Sequence, residues 1–233
     1  MRQSFSNNKL VIRTKILNKW DTLYNPRKKT FFAKLEENAI NDYFAKIFEK
    51  SILSVCQLNS GKVLEPGCGS GAISKRLAMR NNEVFLLDLS PNALLRAISN
   101  FKNSSINCKF TLGDIFQLPF QDEMFDLVFN QGVMEHFKIT GTDPAPAIKE
   151  IMRVLKKNGT LIIFIPAFFS PLHIIYKFLK IFNATDQLWP YEKQEFLHKK
   201  ELRKMMESGG CTNVTVKRLW SSLFFSLIGY CKK

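Results

Sequence analysis

A glycine-rich turn preceded by a carboxylate is the part of this sequence best suited to chemistry. The run Val63–Gly71 reads as a short buried strand, then a turn that contains Gly67 and Gly69, and then the start of a helix. Glycines let the backbone approach a ligand closely and adopt dihedrals that a Cβ would forbid. Strand–glycine turn–helix units bind nucleotide-like ligands in open α/β sheets. The turn therefore predicts such a ligand, with Glu65 beside it.

Further polar residues follow predicted strands, at the edge where open sheets place ligands. Asp88 closes the second strand, where a carboxylate can accept hydrogen bonds from both hydroxyls of a ribose; a helix-capping role is the structural alternative. Asp114 follows the third strand and could accept from an adenine amino group while Ile115 packs on the ring, or it could be an ordinary turn aspartate. Asn130 ends the fourth strand, and Gln131 begins a loop that faces the same edge.

Short apolar runs alternate with helical patterns between residues 62 and 166. The predicted strands are Val63–Glu65, Val84–Asp88, Cys108–Thr111, Phe125–Asn130 and Thr160–Ile165, and the helices between them are Ala72–Arg80, Pro91–Phe101 and Pro144–Lys157. Asn158 and Gly159 are interpreted as the stop of the last helix. A helix over 197–208 and an antiparallel strand pair, Val214–Trp220 and Leu223–Tyr230, follow. This alternation predicts an α/β fold with a doubly wound, mostly parallel sheet.

Together these residues resemble the class I S-adenosylmethionine-dependent methyltransferases over about residues 62 to 166. The matching motifs are Val63–Gly71, Val84–Leu89, Leu112–Ile115, Phe125–His136 and Arg153–Leu161. In the last of them Lys157 and Asn158 replace the family's usual Pro-Gly, which we expect to change the turn geometry more than the chemistry. The resemblance implies a Rossmann-like sheet of seven strands with an antiparallel terminal strand, and S-adenosylmethionine as the cofactor.

The resemblance also implies which residues surround the cofactor. Glu65, Gly67 and Gly69 would lie around its methionine portion, and Asn130 and Gln131 beside the sulfonium and the amino group. The full cofactor-binding set is Glu65, Gly67, Cys68, Gly69, Gly71, Asp88, Leu89, Asp114, Ile115, Asn130 and Gln131. No metal site is expected.

An NAD-dependent oxidoreductase is the competing interpretation, because Gly67, Gly69 and Ala72 also satisfy the G-x-G-x-x-G/A pattern of dinucleotide-binding turns. Glu65 would then lie where an anionic pyrophosphate must approach, which is electrostatically unfavourable. Beside a cationic sulfonium and an ammonium group, the same carboxylate is favourable. The charge of Glu65 therefore favours S-adenosylmethionine.

His136 is the candidate catalytic residue. Methyl transfer from a sulfonium is an in-line displacement with an activated leaving group, so the protein mainly aligns the acceptor. A general base is needed only if the acceptor must lose a proton. His136 has a suitable unperturbed pKa of about 6.5, although a structural role in its loop is the alternative. His173, Tyr176 and Tyr191 could contact the acceptor, but packing roles suit them better.

The flanks of the motif region predict its accessory parts. We expect residues 1–50 to form a helical extension or lid, in which Trp20 and Tyr24 could fold over the cofactor, and residues 51–233 to form the methyltransferase domain. An apolar cap is expected at about residues 167–196. The uncharged run Thr160–Tyr176 is shorter than the roughly 20 residues that a membrane span needs. An apolar cap favours a small or lipid-like acceptor.

Charge and cysteine content add expectations about partners and compartment. The chain has 34 basic and 20 acidic residues, and the excess lies in residues 1–62 (12 against 5) and 167–233 (11 against 5). Basic flanks could meet RNA, an anionic membrane surface or an acidic substrate, so an RNA or protein methyltransferase is the alternative function, and peripheral membrane contact is another expectation. The five cysteines form no CxxC pair and the N-terminal residues show no secretory pattern, which favours the cytoplasm.

Overall fold

A seven-stranded sheet forms the centre of the protein. The computed structural model describes residues 17–18, 21–22, 31–58, 60–102, 106, 108–168, 170–182, 196–222 and 226–233. The strands are β1 (Lys62–Pro66), β2 (Glu83–Asp88), β3 (Cys108–Leu112), β4 (Phe125–Gln131), β5 (Leu155–Pro166), β6 (Thr215–Leu219) and β7 (Ser226–Lys232). Their order is β3-β2-β1-β4-β5-β7-β6, and β7 runs antiparallel to both of its neighbours, β5 and β6. The predicted α/β fold is confirmed.

Helices cover both faces of this sheet. They are α1 (Phe31–Val55), α2 (Ala72–Ala78), α3 (Pro91–Phe101), α4 (Met134–Ile139), α5 (Ala145–Val154), α6 (Pro171–Ile181) and α7 (Lys199–Ser208), with a 3₁₀ turn at Trp220–Ser222. Helices α1, α2 and α3 pack in one core with Leu127 and Phe164, whereas α5 and α7 pack in the other with Leu64 and Leu161. Because both faces are covered, the central strands are nearly continuous apolar runs, as in other parallel sheets.

The long N-terminal helix α1 crosses the expected domain boundary at residue 50 without a break. Phe48 and Ile52 are buried in the core, and the ring of Phe48 lies 4.7 Å from that of Phe164. The buried Glu49 carboxylate accepts hydrogen bonds of 2.6 Å from the Nε atoms of Arg76 and Arg80 in and just after α2. The second half of α1 is therefore part of the packed domain.

The junction between α5 and β5 differs from the prediction. Helix α5 ends at Val154 and β5 begins at Leu155, so the prediction of helix up to Lys157 was wrong over its last three residues. Asn158, at a φ of 64°, and Gly159 lie inside β5, where the register with β4 shifts. Lys233 holds this bulge through two backbone hydrogen bonds of 3.0 Å. A long-range contact thus replaces the expected helix stop.

The other helix and strand boundaries differ less from the predicted ones. The loop after β4 contains the short helix α4, which the sequence interpretation treated as irregular. The last strand begins at Ser226 instead of Leu223, and residues 223–225 lie outside the described residues. Among the helices in the described ranges, none has the length and apolar character to cross a bilayer.

Candidate active site

The glycine turn at the end of β1 is held by the neighbouring strand β2. The carbonyl oxygen of Leu87 accepts from the amides of Gly67 and Cys68, at 2.7 and 3.1 Å. Gly67 has a φ of 76°, and a Cβ there would lie 2.5 Å from a methyl group of Val133 in the loop after β4. The turn therefore needs glycine for its backbone conformation and for the close approach of the β4 loop.

Asp88 links this turn to the start of α3. Its two carboxylate oxygens accept from the amides of Gly69 and Ser90, both at 2.9 Å. Burial raises the pKa of Asp88 above its ordinary value, and the amides that it accepts from oppose that shift. Ser90 caps α3 by accepting from the Ala93 amide at 3.2 Å. Asp88 thus orients the glycine turn and also stands at the edge predicted for a ribose.

Glu65 lies in the middle of the same edge and is almost completely buried. Burial raises the pKa of Glu65 to about 8; the hydroxyl and amide of Ser74 oppose the shift, and the charge of Asp88 adds to it. Its Oε2 atom has no hydrogen-bond partner within the described part of the chain. A buried, unpartnered carboxylate oxygen is costly, so this atom is suited to a cationic ligand.

Asn130, near the end of β4, is likewise a buried polar residue. It is fully buried, and neither its Oδ1 nor its Nδ2 has a partner in the ranges that the structure describes. Leu64 of β1 pairs with Val128, so Asn130 lies two positions further along, toward the glycine turn. Gln131 follows it at the exposed end of the strand. The sheet therefore brings Glu65 and Asn130 to the carboxyl ends of adjacent strands.

Glu135 is a residue of this region that the sequence interpretation did not select. It lies in the first turn of α4, is fully buried, and its two oxygens lack partners among the described residues. Burial raises the pKa of Glu135 to about 8, although its own amide opposes the shift. Its Oε1 lies 3.9 Å from the Cβ position of Gly132. The signal in the sequence was the position of this glutamate among apolar residues of a short helix, since that face of the helix packs against the protein interior.

The residues predicted for the adenine end are also at this edge. The amide of Gly113 donates to the Asp88 carbonyl at 2.9 Å, which ties the loop after β3 to the end of β2. Asp114 is half-buried and accepts from the amide of Phe116 at 2.9 Å. Ile115 is buried in the core and Leu89 is half-buried.

His136 follows Glu135 on α4 and is half-buried. Its amide donates to the Val133 carbonyl at 3.2 Å, and its carbonyl accepts from the amide of Thr140. The short helix therefore fixes the backbone of His136 in the loop that touches the glycine turn through Val133.

One N-terminal residue reaches this edge. Asp21 Oδ1 accepts from the Ser90 hydroxyl at 2.9 Å and from the Asn92 amide at 3.0 Å, and the Asn92 side chain donates to Asp21 as well. A carboxylate at the N-terminus of α3 is favoured by the free amides and the helix dipole. Trp20 and Tyr24, which were expected to fold over the cofactor, lie outside the described residues.

Aromatic rings and imidazoles gather beyond the end of β5. The ring of Phe168 lies 4.3 Å from His173 and 4.1 Å from His198, and Phe196 lies 4.8 Å from His173 and 5.7 Å from Tyr176. Burial, Lys177 and His198 lower the pKa of His173. We call α6 with Phe168, Phe196 and His198 the cap. Tyr191 and the rest of 183–195 lie outside the described residues.

A family model and curated relatives both indicate methyl transfer. A family model described as a methyltransferase domain matches residues 64–163. A demethylmenaquinone methyltransferase of Staphylococcus aureus is 28% identical over 208 residues, covering 81% of this chain and 83% of that protein. The chain is a class I S-adenosylmethionine-dependent methyltransferase. This identification removes the oxidoreductase alternative.

Solved methyltransferases share the fold. An S-adenosylmethionine-dependent methyltransferase of Aquifex aeolicus superposes with a TM-score of 0.61 at 16% identity, covering 79% of this chain and 88% of that one. Phosphoethanolamine N-methyltransferase 2 of Haemonchus contortus, in complex with S-adenosyl-L-methionine, gives 0.59 at 14% identity, covering 78% and 51%.

The residues at the carboxyl edge of this methyltransferase fit its cofactor. The unpartnered atoms of Glu65 and Asn130 offer a carboxylate and an amide to a ligand with cationic groups. The amide-rich glycine turn allows a close approach of ligand to backbone. Within the described ranges, no group of three or more histidine, cysteine, aspartate or glutamate side chains is arranged to hold a metal ion.

Proposed function

We propose that this methyltransferase transfers the methyl group to a small, lipid-like organic acceptor. The observation that carries the proposal is the cap, whose aromatic rings and apolar helix follow directly from the end of β5. Strand β5 neighbours β4, which carries Asn130 and Gln131. The Staphylococcus aureus relative acts, by its name, on demethylmenaquinone. A quinone-like acceptor suits an apolar cap better than RNA or a protein does.

Labelling with tritiated S-adenosylmethionine tests the acceptor class. The protein is incubated with a cell lysate, and the label is measured in the organic-extractable, RNA and protein fractions. We expect the label in the organic-extractable fraction. Enrichment in the RNA or the protein fraction would overturn the proposal in favour of the corresponding alternative. The Asp88→Ala variant provides the background in all three fractions.

Residues of β1, β2, β3 and β4 are proposed to hold the cofactor. When bound, S-adenosylmethionine supplies a methyl group on an activated sulfonium. Glu65 in its ionised form, with Asn130 and Gln131, would bind the cationic methionine portion, and the orphaned buried atoms of Glu65 and Asn130 support this assignment. Asp88 would bind the ribose hydroxyls. The pair Asp114 and Ile115 would bind the adenine.

His136 is proposed as the general base, since it lies on the helix that follows the β4 edge. It would accept a proton from the acceptor atom as that atom attacks. His136→Ala should lower kcat by roughly 10²–10⁴-fold, the usual contribution of a general base, and should leave cofactor affinity unchanged. The matched variant His136→Gln keeps the hydrogen-bonding shape but not the proton affinity and should be equally slow. Undiminished turnover in His136→Ala would remove the residue from the mechanism.

Two further assignments concern the whole chain. Residues 1–50 are proposed to act as a lid at their N-terminal end, supported by the hydrogen bonds from Ser90 and Asn92 to Asp21.

The cytoplasm is proposed as the compartment because all five cysteines are free thiols, which suits a reducing environment. Fractionation of cells with an antibody to the protein tests the second assignment.

A further inference from the structure

Helix α6 exposes a continuous apolar face. Five large apolar side chains of α6 and its C-terminal cap are between 51% and 76% exposed, namely Ile174, Ile175, Phe178, Ile181 and Phe182. Positions 174, 178 and 181 have the i, i+4, i+7 spacing of one helix face. Other exposed apolar residues, such as Met79 and Leu95, occur on separate elements. A patch of this kind marks an interaction surface, whereas scattered residues need no explanation.

The opposite side of α6 is attached to the protein. Ser170 caps the helix by accepting from the amide of His173 at 3.1 Å. The His173 ring is buried and packs between Phe168 and Phe196. The helix is therefore anchored through one side, and its outward side is apolar by sequence. It has 11 residues, which is about half of what a bilayer span requires. A helix of this kind can lie in a membrane interface but cannot cross the membrane.

The charges around α6 suit an anionic surface. Lys177 and Lys180 lie on the helix, and no aspartate or glutamate occurs between Ala167 and Phe182. The segment 167–233 has 11 basic residues against 5 acidic ones. Lys177 follows Ile174 by three positions and so lies at the border of the apolar face. A lysine at such a border is attracted to anionic lipid headgroups, while its stem can lie along the apolar surface. The lysines and the lack of carboxylates between Ala167 and Phe182 therefore favour an anionic lipid surface as the occupant of this face.

We propose that α6 is a peripheral membrane anchor, which inserts Ile174, Phe178 and Ile181 into the interface of an anionic bilayer. Helix α6 follows β5 at the carboxyl edge of the sheet, beside β4. Anchoring through α6 therefore brings the carboxyl edge of the sheet close to the bilayer, in which a lipid-like acceptor dissolves. That benefit rests on the proposed function, but the binding itself does not.

Vesicle co-sedimentation of the full chain tests the anchor. One set of vesicles contains equal parts of phosphatidylglycerol and phosphatidylcholine, and the other contains phosphatidylcholine alone. We expect the protein to sediment with the anionic vesicles, and high salt should weaken this binding because it screens the headgroup charge. The triple variant Ile174→Ser, Phe178→Ser, Ile181→Ser should bind at least tenfold more weakly. Lys180→Gln should reduce binding by a smaller factor.

Matched control variants distinguish vesicle binding through α6 from a general effect of surface apolarity or surface charge. Met79→Ser with Leu95→Ser removes equally exposed apolar residues from another part of the surface, and Lys204→Gln removes an exposed lysine from α7; both should bind as the parent does. Cofactor affinity, measured by calorimetry, should be the same in all variants. Loss of cofactor binding in the parent would contradict the activity and not the anchor.

Two results would overturn the anchor. One is equal sedimentation of the parent and the triple variant with anionic vesicles. The other is a parent that stays in the supernatant and runs as a dimer, while the triple variant runs as a monomer, because the face would then join two copies of this chain.

Discussion

Two regions next to the sheet are attached to it in different ways. The N-terminal region, α1 with Asp21, is tied down by charge: Glu49 accepts from two arginines and Asp21 accepts from two residues at the start of α3. The cap is held by packed rings, by the N-cap serine of α6, by the Phe168 amide donating to the Leu197 carbonyl at 3.0 Å and by Arg218 donating to the Phe168 carbonyl at 2.8 Å. Its outer face is apolar and exposed. The difference teaches that the N-terminal region adds carboxylates, each accepting several hydrogen bonds, to its core packing, whereas the cap relies on ring packing and hydrogen bonds to backbone carbonyls.

The pKa values of buried carboxyls also differ between α1 and the carboxyl edge of the sheet. Hydrogen bonds from Arg80 and Arg76 outweigh burial and hold the pKa of Glu49 below its ordinary range. Glu65, near the end of β1, and Glu135, on α4 after β4, are buried without an arginine partner among the described residues, and burial raises the pKa of each to about 8. Unpartnered buried groups of this kind cluster at functional sites. The strand ends are therefore where a ligand can supply what the protein lacks.

Asp88→Ala should have the largest effect on the cofactor side. It removes a charged acceptor, and contacts to charged groups are worth about 1.5–3 kcal/mol, so cofactor affinity should fall by more than tenfold in calorimetry. Asp126→Ala is the matched control, since Asp126 also accepts a backbone amide, that of Lys62 at 2.8 Å, but at the opposite end of the sheet. The Asp126→Ala variant should bind the cofactor as tightly as the parent does. Vesicle binding should be unchanged in both variants. Equal cofactor affinity in Asp88→Ala and the parent would contradict the ribose assignment.

Glu65 should make cofactor binding depend on pH. The protein without cofactor holds a proton on Glu65 below about pH 8, and a cationic cofactor favours the ionised form. Affinity should therefore rise with pH from 6 to 8, by up to about tenfold per pH unit, and then level off. Binding at pH 7 should release a proton, which calorimetry in buffers of different ionisation enthalpy detects.

The matched variants for this pH dependence are Glu65→Gln and Glu207→Gln. The first should bind weakly and with a flat pH profile, whereas the second, at an exposed carboxylate on α7, should keep the parent's profile. A parent profile that is already flat would show that Glu65 does not face the cofactor's positive charge.

Glu135 should lower the stability of the cofactor-free protein as pH rises. Its pKa is about 8 when folded and 4.5 for the ordinary group, so the folded state binds the extra proton between these values. The free energy of unfolding then falls from about pH 4.5 to 8, by up to about 1.4 kcal/mol per pH unit for each such carboxyl. Urea unfolding at pH 6 and 8 should show a smaller loss in Glu135→Gln than in the parent. An identical loss would mean that Glu135 is ionised in both states.

Asp21→Ala should have the smallest effect. Removal of a group that caps a helix costs about 0.5–2 kcal/mol, and here that cost falls only on the docked N-terminal segment. Cofactor affinity should fall by a few-fold if this segment covers the cofactor, and limited proteolysis within residues 1–30 should become faster. Thr22→Ala is the control next to it, since the Thr22 hydroxyl donates to the Asn18 carbonyl, four residues earlier in the same segment. Faster proteolysis with unchanged affinity would separate docking of the segment from cofactor binding.

Local patterns predicted the elements that carry the site. The strand–glycine turn–helix unit, the cap of α3 at Ser90 and Pro91, and the acidic end of β2 are each encoded within a few residues. For that reason the amino-acid sequence was sufficient to predict the fold class and the family. The junction at Asn158 was predicted incorrectly because Lys233 holds it from the far end of the chain. A contact across that distance leaves no local signal.

The sequence by itself determined which residues stand at the ends of the parallel strands, since a strand's end and its turn are local properties. Only the tertiary structure decided that β7 lies between β5 and β6, that Glu135 is buried without a partner among the described residues, and that α6 is exposed. An apolar segment normally predicts burial, and whether it is buried depends on what other surface remains to cover it. In this protein the apolar face of α6 is exposed, on a helix that follows the carboxyl end of β5.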